Sequence, residues 1–323
     1  MTNVLILETY AADYATALRH EFPDLEVQVA RSPAEANVDY GKVEILIAFG
    51  MGVTEDLFTR MPKLKWVQSL ATGVDHFLRS KTLSADVILT SGRGLHGPAM
   101  RETVLYLMLS VNHDSNRLAH DKSNHHWDRR PWPLLSAKTA VVVGTGVAGS
   151  AIGSLLQALS MRVVGVSRTP RDAEGFDLVV PQTELAQAAS EADYVINVLP
   201  GDAMHRNLIG RDVFASMKPH AYFINVGRGE TVDESALIEV LKHYKIAGAG
   251  LDVFATEPLP AASPLWDLPN AFITPHIGGL FEEYAQMAMP LIIRNMRAFL
   301  SGQTDRMTNT ISRSRPATAE TQP

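Results

Sequence analysis

Short apolar runs alternate with amphipathic stretches along most of the chain. Within the first hundred residues, five apolar runs predict β-strands: NVLIL, LEVQVA, VEILIAFG, LKWVQSL and DVILT. Between several of them lie patterns typical of amphipathic helices, such as Ala11 to Glu21. This alternation predicts parallel sheets with helices on both faces, an α/β fold class.

A second series of apolar runs follows the Trp- and Pro-containing segment HHWDRRPWPLL. It consists of KTAVVVG, RVVGVS, DYVINVLP, AYFINVG, IAGAGLDVF and AFITP. These runs are continuously apolar, which is typical of strands covered on both faces. A substantially buried helix is predicted from Pro98 to His120, and a long helical pattern runs from after Gly279 to about Leu300. The polar end, TISRSRPATAETQP, is expected to fray.

Composition narrows the class of protein. A chain of 323 residues exceeds what one hydrophobic core usually supports, so two domains are expected. The net charge of −6 argues against a nucleic-acid partner, and the lack of cysteine excludes disulfides and thiolate metal ligands. Because the N-terminus has no signal-peptide pattern and no window is long and apolar enough for a membrane helix, we expect a soluble, cytoplasmic protein.

A glycine-rich turn carries the first candidate chemistry. Gly144, Gly146 and Gly149 follow an apolar strand and open an Ala-rich helix. In that context the first glycine allows a tight turn, the second lets the backbone approach a pyrophosphate, and the third lets helix pack on strand. The sequence therefore predicts a dinucleotide site formed by Gly144, Thr145, Gly146, Val147, Ala148 and Gly149. The alternative is a glycine-rich turn without a ligand.

The residues after the next strand bear on the choice of dinucleotide. An NAD-preferring unit usually has an acidic residue about 20 positions on, where this chain has Ser167, followed by Arg168, Thr169 and Arg171. An uncharged side chain does not repel a 2′-phosphate, and arginine can bind it through two hydrogen bonds. We therefore predict NADPH as the preferred cofactor, with NAD as the alternative. In the other interpretation these arginines form a solvated loop.

Three polar residues each follow a predicted buried strand. Arg228 lies in YFINVGRGETVD, Glu257 in GAGLDVFATEPLP and His276 in AFITPHIGG. The carboxyl ends of parallel strands form the ligand crevice of an open α/β sheet, so we expect the three side chains to converge. Arginine can bind a carboxylate, histidine can exchange a proton near neutral pH, and glutamate can orient the imidazole.

At these residues the sequence resembles the D-isomer-specific 2-hydroxyacid dehydrogenases. The resemblance rests on VVVGTGVAG, FINVGRGETVDESAL, AGLDVFATEPLP and ITPHIGG. It implies that Arg228 binds the substrate carboxylate and keto oxygen, that His276 is the acid/base, and that Glu257 pairs with it. The further residues that it implies are Asp252 for the nicotinamide carboxamide, Leu199 and Pro200 at the edge of the cofactor, and the backbone of Gly73 and Val74 for the substrate.

The resemblance also implies an architecture. Residues 1–98 and 287–323 would form a flavodoxin-like substrate domain, and residues 99–286 an inserted Rossmann cofactor domain, both doubly wound parallel sheets. A cleft would separate them, and the helix after Pro98 would join two copies into a homodimer.

The implied function is hydride transfer from NADPH to a small 2-oxo acid, giving the D-2-hydroxy acid. Glyoxylate and hydroxypyruvate are the first expectations for the substrate, because Phe49, Met51, Leu70 and Leu95 suggest a small pocket. Oxidation of an anion such as phosphite is one alternative. A nucleotide-sensing, corepressor-like interaction protein is another.

Two departures from the family pattern stand out, and the remaining histidines give no metal site. The family's PLTPET is PGDAMH here, at residues 200–205, and Arg101 replaces a small residue. His125 and His126 are adjacent and diverge, so they are not expected to bind a metal. His113 and His120 are predicted to form a solvated stripe on one helix, and His76 is predicted to be structural.

Overall fold

The computed structural model describes residues 1–35 and 37–313. The chain divides into two compact units: Met1–Leu95 together with Phe281–Pro323, and His96–Leu280. The C-terminal tail is predicted to fray, and its part from residue 314 onward lies outside the described residues.

Strands and helices alternate through both units, in the order that follows. The opening segment of the first unit contains β1 (Asn3–Leu7), α1 (Ala11–Glu21), β2 (Glu26–Ala30), β3 (Ile45–Ala48), α2 (Glu55–Thr59), β4 (Trp66–Ser69), α3 (Asp75–Arg79) and β5 (Ile88–Thr90). The second unit contains α4 (Gly97–Asn112), α5 (Ser115–Ser123), β6 (Thr139–Val143), α6 (Val147–Ala158), β7 (Arg162–Ser167), β8 (Leu178–Pro181), α7 (Leu185–Glu191), β9 (Tyr194–Asn197), α8 (Arg211–Ser216), β10 (Tyr222–Asn225), α9 (Glu234–Lys242), β11 (Gly248–Leu251) and β12 (Ala271–Ile273). The chain returns to the first unit with α10 (Tyr284–Leu300).

The first unit is built on a five-stranded parallel sheet. Its strand order is β2-β1-β3-β4-β5. This is the flavodoxin-like order, in which the chain moves to one edge and then crosses to the other side of β1.

The second unit has a seven-stranded parallel sheet, with order β12-β11-β10-β9-β6-β7-β8. The chain runs from β6 outward to β8, then returns to β9 beside β6 and continues to the opposite edge. This order is that of the Rossmann fold with one added strand, and its switch point lies between β6 and β9. The predicted fold class, two doubly wound parallel-sheet units, is confirmed.

Both sheets carry apolar side chains on both faces, as the continuous apolar runs predicted. In β6, Val141 and Val143 pack into one hydrophobic cluster, whereas Ala140 and Val142 pack into another, and all four are fully buried. Because successive side chains of a strand point to opposite faces, this segregation follows directly from the run of four apolar residues. Within the described residues, no helix has the combined length and apolarity needed to cross a bilayer.

The helix predicted from Pro98 to His120 is wrong as a single element. It ends at Asn112, and a second helix, α5, begins at Ser115. Asp114 separates them in the left-handed conformation, with φ of 52°, and its side chain accepts a hydrogen bond from the Arg117 backbone N–H. The predicted stripe of His113 and His120 on one helix is therefore also wrong, and the His113 ring packs on Trp132 at 4.2 Å.

Candidate active site

The glycine-rich turn after β6 has the geometry of a phosphate cradle. Gly144 has φ of 113°, a conformation that favours glycine. A Cβ on Gly149 would overlap the carbonyl oxygen of Gly144, so only glycine lets α6 approach the strand this closely. The first and third glycines are thus needed for the turn itself.

Gly146 differs, because no described residue requires a glycine there. A Cβ built on Gly146, the N-cap of α6, meets no atom of the described residues within 4 Å. Beside it Val147 is 48% exposed, and Thr145 and Ala148 are half-buried. Open space in front of the N-terminus of a 12-residue helix suits the pyrophosphate of a dinucleotide, so the residues present fit that cofactor.

The end of β7 carries the residues predicted to select the dinucleotide. Ser167 is the last residue of the strand, and its hydroxyl donates to the carbonyl of Thr169 at 3.3 Å. Arg168 is exposed, with Nη1 3.8 Å from the Met204 sulfur. Arg171 is exposed as well. No acidic side chain occupies the strand end itself, and the guanidinium of Arg168 extends toward the loop after β9.

The loop after β9 explains one departure of the sequence from the family pattern. Gly201 is buried, and a Cβ there would overlap Oε1 of Glu230 and lie 3.2 Å from Cγ of Arg228. The Glu230 carboxylate therefore occupies the space that a larger residue at 201 would need. Leu199 is buried just before this loop, with its N–H donating to Asn197 Oδ1 at 3.2 Å.

Glu257 and His276 form a hydrogen-bonded pair at the carboxyl edge of the second sheet. His276 Nδ1 lies 2.6 Å from Glu257 Oε2, and Glu257 Oε1 accepts the Phe254 backbone N–H at 2.9 Å. Burial alone would raise the pKa of Glu257, but the hydrogen bonds from His276 and Phe254 and the charges of His276 and Arg228 outweigh burial and lower it. The carboxylate is therefore ionised and fixed at both oxygens.

His276 itself sits in a strained turn. Its φ is 53°, in the left-handed region that residues other than glycine rarely adopt. The turn is held by Asp252, whose carboxylate accepts hydrogen bonds from Thr274 Oγ1 at 2.6 Å, Ile277 N at 3.0 Å and Gly278 N at 2.9 Å. In this structure Asp252 thus positions the segment that carries His276, while its predicted contact with nicotinamide remains a prediction.

The two glycines after His276 make room for polar side chains. A Cβ on Gly278 would lie 2.8 Å from Asp252 Oδ2 and 2.8 Å from Thr103 Cγ2. A Cβ on Gly279 would lie 3.1 Å from Cδ2 of His96. The chain therefore removes bulk after the histidine so that one carboxylate can hold the turn and a second imidazole can lie beside it.

Arg228 follows β10 and is half-buried. Its Nη1 donates to the carbonyl of Gly227 at 2.8 Å. Its positive charge lowers the pKa of Glu257 and that of His96. The structure thus brings Arg228, Glu257 and His276 together in one unit and adds His96 to them.

His96, which precedes α4 as its N-cap, was not among the site residues predicted from the sequence. Burial, and after it the charge of Arg228, lowers the pKa of His96 from 6.5 to about 4. The only sequence signal was its place in the segment GRGLHG, just before the predicted helix.

The predicted substrate loop lies in the first unit, at the carboxyl end of β4. Val74 is buried and is the N-cap of α3, next to Gly73. The roles assigned to the backbone of these two residues remain predictions. The His76 Nε2 atom lies 2.5 Å from the carbonyl oxygen of Val53, a contact within the fold.

Comparison with known proteins gives the family. The model of the D-isomer specific 2-hydroxyacid dehydrogenase NAD binding domain matches residues 105–278. A glyoxylate/hydroxypyruvate reductase B from Pectobacterium carotovorum is 31% identical over 307 residues, 93% of this chain and 95% of the relative. The chain belongs to the D-isomer specific 2-hydroxyacid dehydrogenases. It is accordingly a nicotinamide-dependent oxidoreductase, and the family membership and enzyme class predicted from the sequence are confirmed.

Solved members of the family have the same fold. A family protein from Aeromonas salmonicida has a TM-score of 0.89 and 32% identity, covering 97% of this chain and 99% of that chain. The NADPH-dependent glyoxylate/hydroxypyruvate reductase from Sinorhizobium meliloti, solved with NADP and sulfate, has a TM-score of 0.82 and 27% identity over 97% of this chain and 99% of its own.

Proposed function

We propose that this 2-hydroxyacid dehydrogenase reduces a small 2-oxo acid to the D-2-hydroxy acid with NADPH, and that glyoxylate and hydroxypyruvate are its substrates. The observation that carries the proposal is the 2.6 Å contact between His276 Nδ1 and Glu257 Oε2, with the charge of Arg228 acting on the same carboxylate. The His276 imidazole can donate a proton, the Glu257 carboxylate orients it, and the Arg228 guanidinium supplies a positive charge. Carbonyl reduction needs a group of each kind.

In the proposed mechanism, Arg228 binds the substrate. A guanidinium forms two parallel hydrogen bonds with a carboxylate, and its remaining donors stabilise negative charge on the neighbouring keto oxygen. The backbone N–H groups of Gly73 and Val74 are proposed to bind the same carboxylate.

In the proposed mechanism, His276 donates a proton to the substrate. Because Nδ1 is held by Glu257, Nε2 is the atom that donates to the substrate oxygen as the carbonyl is reduced. Glu257 stabilises the imidazolium before this transfer and keeps the ring oriented. When bound, the nicotinamide supplies the hydride for the keto carbon. Hydride and proton together convert the oxo acid to the hydroxy acid.

Two features of the second unit support NADPH as the preferred cofactor: the strand end of β7 is an uncharged serine, and Arg168 is exposed beside it. Gly146 leaves the helix N-terminus open for the pyrophosphate that NADH and NADPH share. We assign the 2′-phosphate to Arg168 with Ser167, Thr169 and Arg171, and the pyrophosphate to residues 144–149. The relative from Sinorhizobium meliloti is named as NADPH-dependent, which agrees with this assignment.

We further propose that the chain acts as a cytoplasmic homodimer. Helix α5 has no buried residue, and large apolar side chains after it are exposed: Trp127 at 88%, Trp132 at 52% and Leu134 at 72%. Such a surface is typical of a protein interface. Light scattering after size-exclusion chromatography, compared with the 35.3 kDa of one chain, tests the dimer.

Product chirality tests the proposed reaction. Incubation with NADPH and hydroxypyruvate, followed by chiral chromatography, should give D-glycerate and a matching loss of NADPH. L-glycerate would contradict the proposed stereochemistry. NADPH consumption without hydroxy acid would contradict the reaction.

A further inference from the structure

The turn that carries His276 is held from two sides. On the side of β11, the Asp252 carboxylate accepts the backbone N–H groups of Ile277 at 3.0 Å and Gly278 at 2.9 Å. On the side of α4, the Thr103 hydroxyl donates to the carbonyl oxygen of Gly278 at 3.1 Å. The buried Gly278 is therefore hydrogen-bonded through both its N–H and its C=O, to a strand end and to a helix.

The sequence of the turn explains why it needs contacts from outside. His276 has φ of 53°, a strained conformation for a residue other than glycine. One residue later come Gly278 and Gly279, and glycine has the most adaptable backbone of any residue. A strained residue beside adaptable backbone keeps its conformation only where the surrounding structure imposes it. Asp252 fixes the N–H groups of the turn, and Thr103 fixes the direction of the Gly278 carbonyl.

Thr103 belongs to a longer contact between α4 and the strand that leads to the turn. Tyr106, three residues on and thus on the same helix face, packs edge-to-face on Phe272 of β12, with ring centroids 5.5 Å apart. The Thr103 Cγ2 atom lies 2.8 Å from the position that a Cβ on Gly278 would take. The Thr103 hydroxyl is also 2.9 Å from the carbonyl of Ala99, so its single proton lies between two carbonyl oxygens.

We propose that Thr103 is a positioning residue for the proton donor. By hydrogen-bonding the Gly278 carbonyl, it fixes the backbone that directs the His276 imidazole toward Glu257. The inference rests on the proposed function, in which His276 protonates the substrate oxygen. Without the hydroxyl, the turn adopts the geometry for proton transfer less often, while the phosphate cradle and Arg228 are unchanged. Turnover should therefore fall, with little change in substrate or cofactor binding.

The chain offers a matched control for this hydroxyl. Thr103→Val removes the hydroxyl and keeps the branched shape, whereas Thr103→Ser keeps the hydroxyl. Thr16 in α1 has the same bond within its helix, from Oγ1 to the carbonyl of Ala12 at 2.9 Å. Thr16→Val thus reproduces the loss of the bond to the preceding turn of the helix, in the first unit, and leaves the His276 turn intact.

The experiment measures kcat and KM for glyoxylate and hydroxypyruvate, with NADPH, in the wild type and in each variant. Thr103→Val is also combined with His276→Gln, because a residue that acts through the histidine has little effect once the histidine is gone. Thermal unfolding and NADPH affinity, from quenching of tryptophan fluorescence, report whether each variant is folded. If Thr103→Val does not fold, Thr103→Ala, which places less bulk against Gly278, replaces it.

We expect Thr103→Val to lower kcat by about 5- to 50-fold for both acids, and to change KM and the NADPH affinity by less than about 3-fold. Thr103→Ser should keep kcat within about 3-fold of the wild type, and Thr16→Val should behave as the wild type. In the His276→Gln background, Thr103→Val should lower kcat by less than about 2-fold.

Three results would overturn the proposal: a kcat of Thr103→Val equal to that of the wild type, a loss that serine does not recover, or a loss of the same size in the His276→Gln background. A folded wild type that turns over neither acid would overturn the proposed function and, with it, this role of Thr103.

Discussion

His276 Nδ1 lies 2.6 Å from Glu257 Oε2, and the other oxygen of that carboxylate is held by the backbone N–H of Phe254 at 2.9 Å. The imidazole is thus oriented by a partner that is itself fixed, in a turn whose backbone is held by Asp252. In the proposed mechanism this leaves Nε2 as the atom for proton exchange. Three proposed roles can then be tested separately: the proton donor, its orienting carboxylate and the cation beside them.

Replacing His276 should remove proton transfer without removing the cofactor. His276→Gln is expected to lower kcat by on the order of 10²–10⁴, the usual contribution of a general acid. NADPH affinity should stay within about 3-fold of the wild type, because the phosphate cradle at residues 144–149 is untouched. His126→Gln, at an exposed position 3.2 Å from Asp121, is the control. A kcat within threefold of the wild type for His276→Gln would refute the assignment.

The lowered pKa of Glu257 leads us to expect that the free energy of unfolding depends on pH. Its folded pKa is lowered, so the ionised form stabilises the fold above the unfolded value of about 4.5, and this contribution is lost as the pH falls through the lower folded value. In urea unfolding, Glu257→Gln should be less stable than the wild type at neutral pH, and the difference should shrink once the pH is below 4.5. A difference that is constant down to pH 3 would argue against an ionised, hydrogen-bonded Glu257.

The lowered pKa of His96 leads us to expect a second change in stability, at higher pH than that of Glu257. Because its folded pKa is about 4 and its unfolded value 6.5, the unfolded chain binds a proton in this interval that the folded chain does not. Stability should therefore fall as the pH decreases from 6.5 to about 4, by no more than about 3 kcal/mol. His96→Phe should flatten the stability–pH curve in that window relative to the wild type. An unchanged curve would mean that His96 titrates normally.

A pair of substitutions can distinguish the role of Gly146 from that of Gly149. Gly146→Ala adds a Cβ that meets no atom in the part of the chain that the structure describes, so stability should change by less than about 0.5 kcal/mol while NADPH binding weakens. Gly149→Ala would drive a Cβ into the carbonyl of Gly144 and should cost about 1–3 kcal/mol as well as binding. Denaturant unfolding and fluorescence titration with NADPH distinguish the two. Equal behaviour of both variants would contradict the different functions assigned to the glycines.

Arg168 can be tested without turnover. Arg168→Ala is expected to weaken binding of 2′,5′-ADP by about tenfold, the loss of a charge-assisted pair, and to leave AMP unaffected. Isothermal titration calorimetry gives both affinities, and Met204→Ala serves as the control, because it removes the 3.8 Å sulfur contact but keeps the guanidinium. Equal weakening of both ligands by Arg168→Ala would assign the arginine to a part of the nucleotide other than the 2′-phosphate.

Local pattern predicted every strand except β8, because burial on both faces imposes continuous apolar runs, as in β6 and β10. Of the helices it predicted only α1, α6, α10 and the stretch that contains α4. It failed where a polar side chain determines the backbone conformation. Asp114 ends one helix and caps the next through its own hydrogen bond to Arg117, a signal hidden within an apparently helical stretch. Strand β8 was not predicted, because it is short, not fully buried and ends in Pro181.

The same division holds for the site. Arg228, Glu257 and His276 were predictable because each follows a buried strand, and parallel strands end at one edge. His96 was not, since nothing local in GRGLHG indicates that it packs beside Gly279. The loop at 200–205 was visible as a departure, but its reason, the Glu230 carboxylate over Gly201, depends on residues distant in the chain. The structure gives no account of Arg101, which is exposed on α4.

The most direct measurement is the rate of NADPH oxidation, compared with that of NADH, in the presence of glyoxylate and of hydroxypyruvate. The account predicts turnover of both acids, with kcat/KM higher for NADPH than for NADH. Turnover of the oxo acids that favours NADH would contradict the cofactor assignment of Ser167 and Arg168. A folded, NADPH-binding protein with no turnover of either acid would contradict the central claim.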